Sequence, residues 1–298
     1  MRPGSFVFLI FLSLCLFVFS AHAHTEELPP ELNAQYKNKI FLLRGFYSRD
    51  HLQYDSTGKI DRAETGDWTT SGFVEVERLS ISGSRLTIEA RRLLLSSPYH
   101  DGFSLNGGKK RGKNTSPLKI DADLNPDEPP EKSVKTALSQ IFFTAQDSFA
   151  DSVPEYWKFC IVNGLRGKNE NCHFSRELRR VPGMDLSQNA QAEIMTDPKN
   201  MPFYHLGSSG VTPPQFIAHP KPAFSEAARK VRYQGTDTIW LVVDTSGNPT
   251  NIRITDPLGL GLDEEAVRAV KTWKLQPATK DGQFVAAEIS VEVEFHLF

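Results

Sequence analysis

The sequence predicts an α+β protein: a C-terminal antiparallel sheet packed by two helices, preceded by a separate β-rich N-terminal domain with one or two helices of its own. Three observations carry that prediction. Residues 287–297 alternate apolar and polar without a break, which is the period of a half-buried strand. Ahead of them, two segments beginning at Ser225 and Asp263 set helix-forming residues behind capping side chains. Across residues 39–96, short apolar runs are separated by turn residues, as in a small antiparallel sheet or partial barrel.

In the first part, Ile40-Phe41-Leu42-Leu43 reads as a buried strand and Asp55-Ser56-Thr57-Gly58 as a turn. Phe73, Val76 and Leu79 fall near two longer strands, Leu86 alternates with Ile88 and Ala90, and Ser82-Gly83-Ser84 between those strands reads as a hairpin connection. Residues 100–131 are polar and rich in Gly, Asp and Pro, and predict a long surface loop. A helix begins near Pro130, where Val134, Ala137, Leu138, Ile141 and Phe142 make one apolar face. Tyr156 and Trp157 follow Pro154 and are expected to cover that same core. The resulting organisation is a domain of unknown function over residues 37–185, a linker over 186–212 and a C-terminal module over 213–298.

Length and charge bound the rest. A chain of 298 residues accommodates two modest domains, and a formal charge of −2 gives no electrostatic case for nucleic acid. The basic run Lys109, Lys110, Arg111 and Lys113 has no interleaved aromatic residue and reads as a solvated loop. Arg2, the apolar run over residues 6–19 and Ala21-His22-Ala23 read as an export signal over residues 1–23, cleaved after Ala23. The alternative is an uncleaved membrane anchor, which would be the chain's contact with a membrane. Cys15 lies inside the apolar run, leaving Cys160 and Cys172 as a disulfide candidate in an exported chain. A zinc reading through Cys160, Cys172 and His173 lacks a fourth ligand, so no metal or other cofactor is expected.

The module reads as helix, hairpin, helix, strand. Ser225 is placed as an N-cap, and Gly235 ends the first helix. Ile239, Leu241 and Val243 share a strand face, residues 244–248 turn, and Ile252 and Ile254 face inward on the return. Asp263 is placed as the cap of the second helix, with stripe residues Ala266, Val267, Val270 and Trp273 and a stop at Pro277. Asp281-Gly282 turns into the last strand, where Ala287, Ile289, Val291, Val293, Phe295 and Leu297 oppose Glu288, Ser290, Glu292, Glu294 and His296. Trp273 is expected in the core; Trp240 either covers the outer face or meets a partner.

These residues amount to a resemblance. Pro222-x-Phe224-Ser225-x-x-Ala228, Asp244-x-x-Gly247 and Leu262-Asp263-x-x-Ala266-x-x-Ala269-x-x-x-Trp273-x-x-x-Pro277 are similar, in order and spacing, to the TonB C-terminal domain family. The resemblance covers about the last 85 residues of the chain. It implies a bacterial cell-envelope protein of the periplasm whose module binds an extended peptide of a TonB-dependent outer-membrane receptor beside the last strand. Such β-augmentation would use Ala286, Glu288, Ser290, Glu292, Glu294 and His296, with the three glutamates solvated and favouring basic partner residues. The alternative is a periplasmic scaffold that binds another envelope protein or peptidoglycan without energy transduction. Family transducers also carry a permanent membrane helix and a long Pro-rich arm, and neither is legible here. No Gly-x-Ser-x-Gly, His-Glu-x-x-His or phosphate loop occurs, and His51 and His100 merely neighbour Asp50 and Asp101; no catalytic residue and no enzyme activity are expected.

Overall fold

The computed structural model describes residues 25–26, 28–97, 102–105, 115–167, 171–184, 203–205, 207–208 and 210–297. The export signal, the basic run at 109–113, His100 and most of the linker lie outside the described residues.

In chain order the first part contains β1 (Thr25–Glu26), α1 (Pro30–Tyr36), β2 (Ile40–Leu42), β3 (His51–Tyr54), α2 (Trp68–Ser71), β4 (Phe73–Ser82), β5 (Arg85–Leu93), β6 (Leu95–Ser96), β7 (Ser104–Leu105) and β8 (Thr115–Asp123). Helices α3 (Pro130–Ile141), α4 (Phe149–Ser152) and α5 (Glu155–Leu165) follow. The second part contains β9 (Tyr204–His205), β10 (Val211–Thr212), β11 (Gln215–Ala218), α6 (Glu226–Val231), β12 (Gly235–Val243), β13 (Pro249–Asp256), α7 (Leu262–Val270), β14 (Lys274–Gln276), β15 (Ala278–Lys280), β16 (Gln283–Val285) and β17 (Ala287–Phe295). The described residues are mixed α+β.

The first sheet has the order β1-β4-β5-β8-β3, with β2 also paired to β4. β8 corrects the loop expected over residues 100–131: Leu118, Ile120 and Ala122 are buried in alternation between β5 and β3. Of the polar residues between them Lys119 faces solvent and Asp121 is buried in contact with His51 and Thr87, so the composition reads as polar where the sheet has a strand. α1 and α3 cover the apolar side, where Leu32, Val134, Leu138 and Ile141 meet Val76, Leu86 and Ile120.

The second cluster crosses from one part of the chain to the other. Trp68, Phe73, Phe103, Phe149, Trp157 and Phe174 join the same core as Ile239, Leu241, Leu262, Val267, Val291 and Phe295. Trp157 therefore does not cover the α3 core as expected; it lies on α5 and packs toward the module. Backbone bonds also cross: Ser97 N–H donates to Leu258 O at 2.8 Å, and Leu260 N–H to Leu95 O at 2.8 Å. Gly259 makes the approach possible, because at φ +80° a Cβ would lie 2.5 Å from Leu95 O. The expected separate first domain thus shares its interior with the module.

Cys160 on α5 and Cys172 are bonded, with Cα atoms 5.3 Å apart, and both are buried. The bond joins residues separated by 12 positions in sequence. The paired substitution Cys160→Ala, Cys172→Ala is expected to destabilise the full chain by about 2–4 kcal/mol through loss of loop closure. A urea midpoint equal to that of the parent protein would contradict this.

Candidate functional site

The module's sheet has the order β13-β12-β17-β9. Its inner face carries Ile239, Leu241, Val243, Ile254, Val291, Val293 and Phe295, all buried against α6 and α7. Ser225 caps α6, its Oγ accepting from Ala228 N–H at 3.1 Å while donating to Leu260 O at 2.6 Å. That helix ends at Arg232, which takes φ 55°, and Gly235 is already the first residue of β12. The second cap also differs from expectation. Gly261 precedes α7, and Asp263 lies inside the helix, its carboxyl accepting from Leu258 N–H and Gly259 N–H at 2.7 Å each. Trp273 falls beyond α7 but is buried, its Nε1–H donating to Pro220 O at 3.1 Å.

The backbone of β17 divides by parity. Its ladder with β12 runs without a register shift from Ala287 to Phe295. Ala286 O accepts from Tyr204 N–H at 2.9 Å on the outer side, whereas Leu297 N–H donates to Gln234 Oε1 at 2.8 Å on the β12 side. Even-numbered residues therefore direct N–H and C=O outward, and odd-numbered residues direct theirs into the ladder. β9 occupies the outer edge opposite Ala287 and Glu288, in parallel. Among the described residues no strand pairs with that edge beyond Glu288.

Ser290, Glu292, Glu294 and His296 flank this open stretch and are exposed, with His296 Nε2 3.4 Å from Glu294 Oε2. Ala286 is half-buried. Glu288 departs from the solvated position expected for it: it is only 6% exposed, lies 3.0 Å from His205 Nδ1, and is 3.7 Å from Arg253. The strand that buries it comes from a distant part of the chain, so alternation alone could not show it.

A groove of about 850 Å³ runs along the open edge between residues 290–296 and a second wall of Phe216, His219, Pro222, Phe224 and Trp273. β11 holds the wall by pairing with β14, Phe216 standing opposite Leu275. The Phe216 ring meets Trp273 edge-on at 5.4 Å, and Phe224 meets Phe295 at 5.6 Å. Phe216 is 48% exposed, an aromatic surface left uncovered beside unpaired backbone. The sequence reading missed this wall; its signal is the pair Phe216-Ile217 between Pro213-Pro214 and Pro220. The opposite sheet edge is covered, since α5 packs along β13, with Trp240 on the outer face near Phe159 and Asn163.

His51 pairs with Asp121 at 2.8 Å rather than with its neighbour Asp50, and Thr87 and Lys119 hold the same carboxylate. Among the described residues no group of three or more His, Cys, Asp or Glu side chains could hold a metal ion, and no helix is long and apolar enough to cross a membrane.

Comparison with known proteins points to the same segment. Residues 220–297 match the family model described as the Gram-negative bacterial TonB protein C-terminal. Protein tonB2 of Pseudomonas aeruginosa is 30% identical over 83 residues, covering 28% of this chain and 31% of that protein. Protein TonB of Vibrio cholerae serotype O1 is 32% identical over 81 residues, covering 27% of this chain and 33% of that protein. The chain thus spans about a third of the length of the curated relatives it matches. A solution NMR structure of the Pseudomonas aeruginosa TonB CTD aligns over 32% of this chain and 95% of its own, at 16% identity and a TM-score of 0.24, too low to carry a fold argument.

Proposed function

We propose, from the premise that residues 220–297 belong to the TonB C-terminal domain family, that this is a cell-envelope binding protein which takes an extended segment of a partner onto β17 by strand addition. The partner proposed is a TonB-dependent outer-membrane receptor, engaged from the periplasm. The observation supporting this reading is the outward backbone of Ser290, Glu292 and Glu294, with which no described strand pairs, beside an aromatic-walled groove. An added strand would direct alternate side chains into the groove and toward the outer face. Apolar side chains suit the first position and basic ones the second, beside Glu292 and Glu294. Each new backbone bond nets about 0.5–1.5 kcal/mol, so a few of them sustain a reversible grip once association costs are met.

A fluorescent box peptide from such a receptor, titrated against the full chain, tests this reading. Glu292→Lys with Glu294→Lys is expected to weaken binding of a peptide with basic outward residues by about three- to thirty-fold, as loss and reversal of rim charges of ~1 kcal/mol each implies. Glu288 belongs to the His205 contact and not to this rim. Parent protein that ignores receptor peptides but binds another envelope component would support the scaffold reading instead.

A further inference from the structure

We infer that the contact between the first part of the chain and the module is a proton-controlled latch, closed while Asp237 and Glu264 carry protons and released when they ionise. The inference goes beyond peptide binding and rests on the geometry where α5 and the segment before α2 meet β12 and α7.

Asp237 points to the inner face of β12, is fully buried, and neither of its carboxyl oxygens has a hydrogen-bond partner. Facing it are Asp263 and Glu264 on α7 and Asp256 on β13. Glu264 is buried as well; its Oε1 accepts from Trp157 Nε1–H of α5 at 2.8 Å, and its Oε2 is unpartnered. Asp67, preceding α2, brings a further acid toward Glu264 and Asp263. Tyr156 of α5 also faces these acids. Among the described residues the cations at this contact include Arg268, which is already 2.7 Å from Glu265 and 4.0 Å from Asp67, and Lys271, whose Nζ lies 5.4 Å over the Tyr156 ring.

Ionised carboxylates buried without partners are strongly unfavourable, and neutralisation by a proton is the ordinary resolution. Neutralisation by a metal finds no converging ligand set among the described residues. Burial is the main cause raising both Asp237 and Glu264 well above the usual carboxylate range, and neighbouring acids add to it. Asp263 is pushed up to about 7, chiefly by burial, although three backbone N–H groups, those of Leu258, Gly259 and Asp263 itself, oppose the shift.

The location explains why ionisation would release the contact. Asp263 braces Leu258 and Gly259, the start of the loop that docks on the first part of the chain. Gly261 N–H continues that docking by donating to Thr69 Oγ1 at 3.0 Å, and Tyr233 Oη donates to Ser97 O at 3.0 Å. Glu264 meets the first part directly through Trp157. A closed state that binds more protons than the open state loses stability as pH rises above the ordinary carboxylate range near ~4, continuing until the raised closed-state values are passed.

Hydrogen exchange of the full chain between pH 5 and 9, corrected for intrinsic rates, tests the latch. Protection of α5 and of residues 258–261 is expected to fall by up to about tenfold per pH unit for each carboxyl, while the β12–β17 ladder keeps its protection. Asp237→Asn with Glu264→Gln, which retains an acceptor for Trp157, should leave only the shallower fall that Asp263 contributes. Parent protection that stays constant across this range overturns the inference even if the variant does not fold. An equal fall in a folded variant overturns it too.

Discussion

Trp157→Ala is expected to destabilise the full chain by about 3–5 kcal/mol, enough to consume much of a typical domain's stability. The indole is fully buried and packs edge-on against Trp68 at 5.0 Å, with Phe103 at 5.9 Å. It belongs to the cluster that also contains Ile239, Leu262 and Val291 of the module, so its loss opens a cavity where the two parts meet. Its Nε1–H is also the donor to Glu264 Oε1, which the substitution leaves unpartnered. Trp157→Phe separates these effects in part: it keeps one ring in the cluster while removing the donor and the smaller share of the indole volume, and should cost roughly 1–3 kcal/mol. Urea unfolding of both variants checks the ranking. Equal losses would mean that the indole volume contributes little.

Proline at adjacent positions of β17 should produce opposite outcomes. Glu292→Pro removes an N–H directed outward, where proline is tolerated on an edge strand, so the ladder with β12 survives. Peptide binding is expected to fall about tenfold or more, because a donor is lost and the ring intrudes on the incoming strand. Val293→Pro removes an N–H directed into the β12 ladder opposite Asp237, and should destabilise the fold by about 3 kcal/mol or more. Thermal unfolding and peptide titration of the two variants form a cross-check. Similar behaviour of both would remove the parity assignment on which the site rests.

Much of the module was legible because its elements answer to local rules. Ser225 caps α6 because its hydroxyl reaches the Ala228 N–H three residues on, a contact written in spacing. β17 was legible because one side faces helices and the other faces water, giving a strict period of two. Asp281 and Gly282 both take positive φ between β15 and β16, as that pair predicts. What escaped the sequence depends on contacts distant along the chain. Asp263 has the composition of a cap, yet burial beside the docking loop turned it into a brace for Leu258 and Gly259. Glu288 stands on the polar side of β17, but the remote strand at Tyr204 and His205 covers it. The aromatic wall at Phe216 and the reach of Trp157 across to Glu264 have no periodic signal at all, because each is fixed by packing between elements far apart in sequence.

Strand addition as proposed requires β17 to present its even-numbered backbone groups to an incoming strand. Residue-resolved amide exchange of the full chain, with and without saturating box peptide, measures this directly. New protection is expected at Ser290, Glu292 and Glu294, with Val291 and Val293 already protected by β12 and unchanged. Bound peptide with no added protection at those even positions, or with protection appearing along β13 instead, would contradict it.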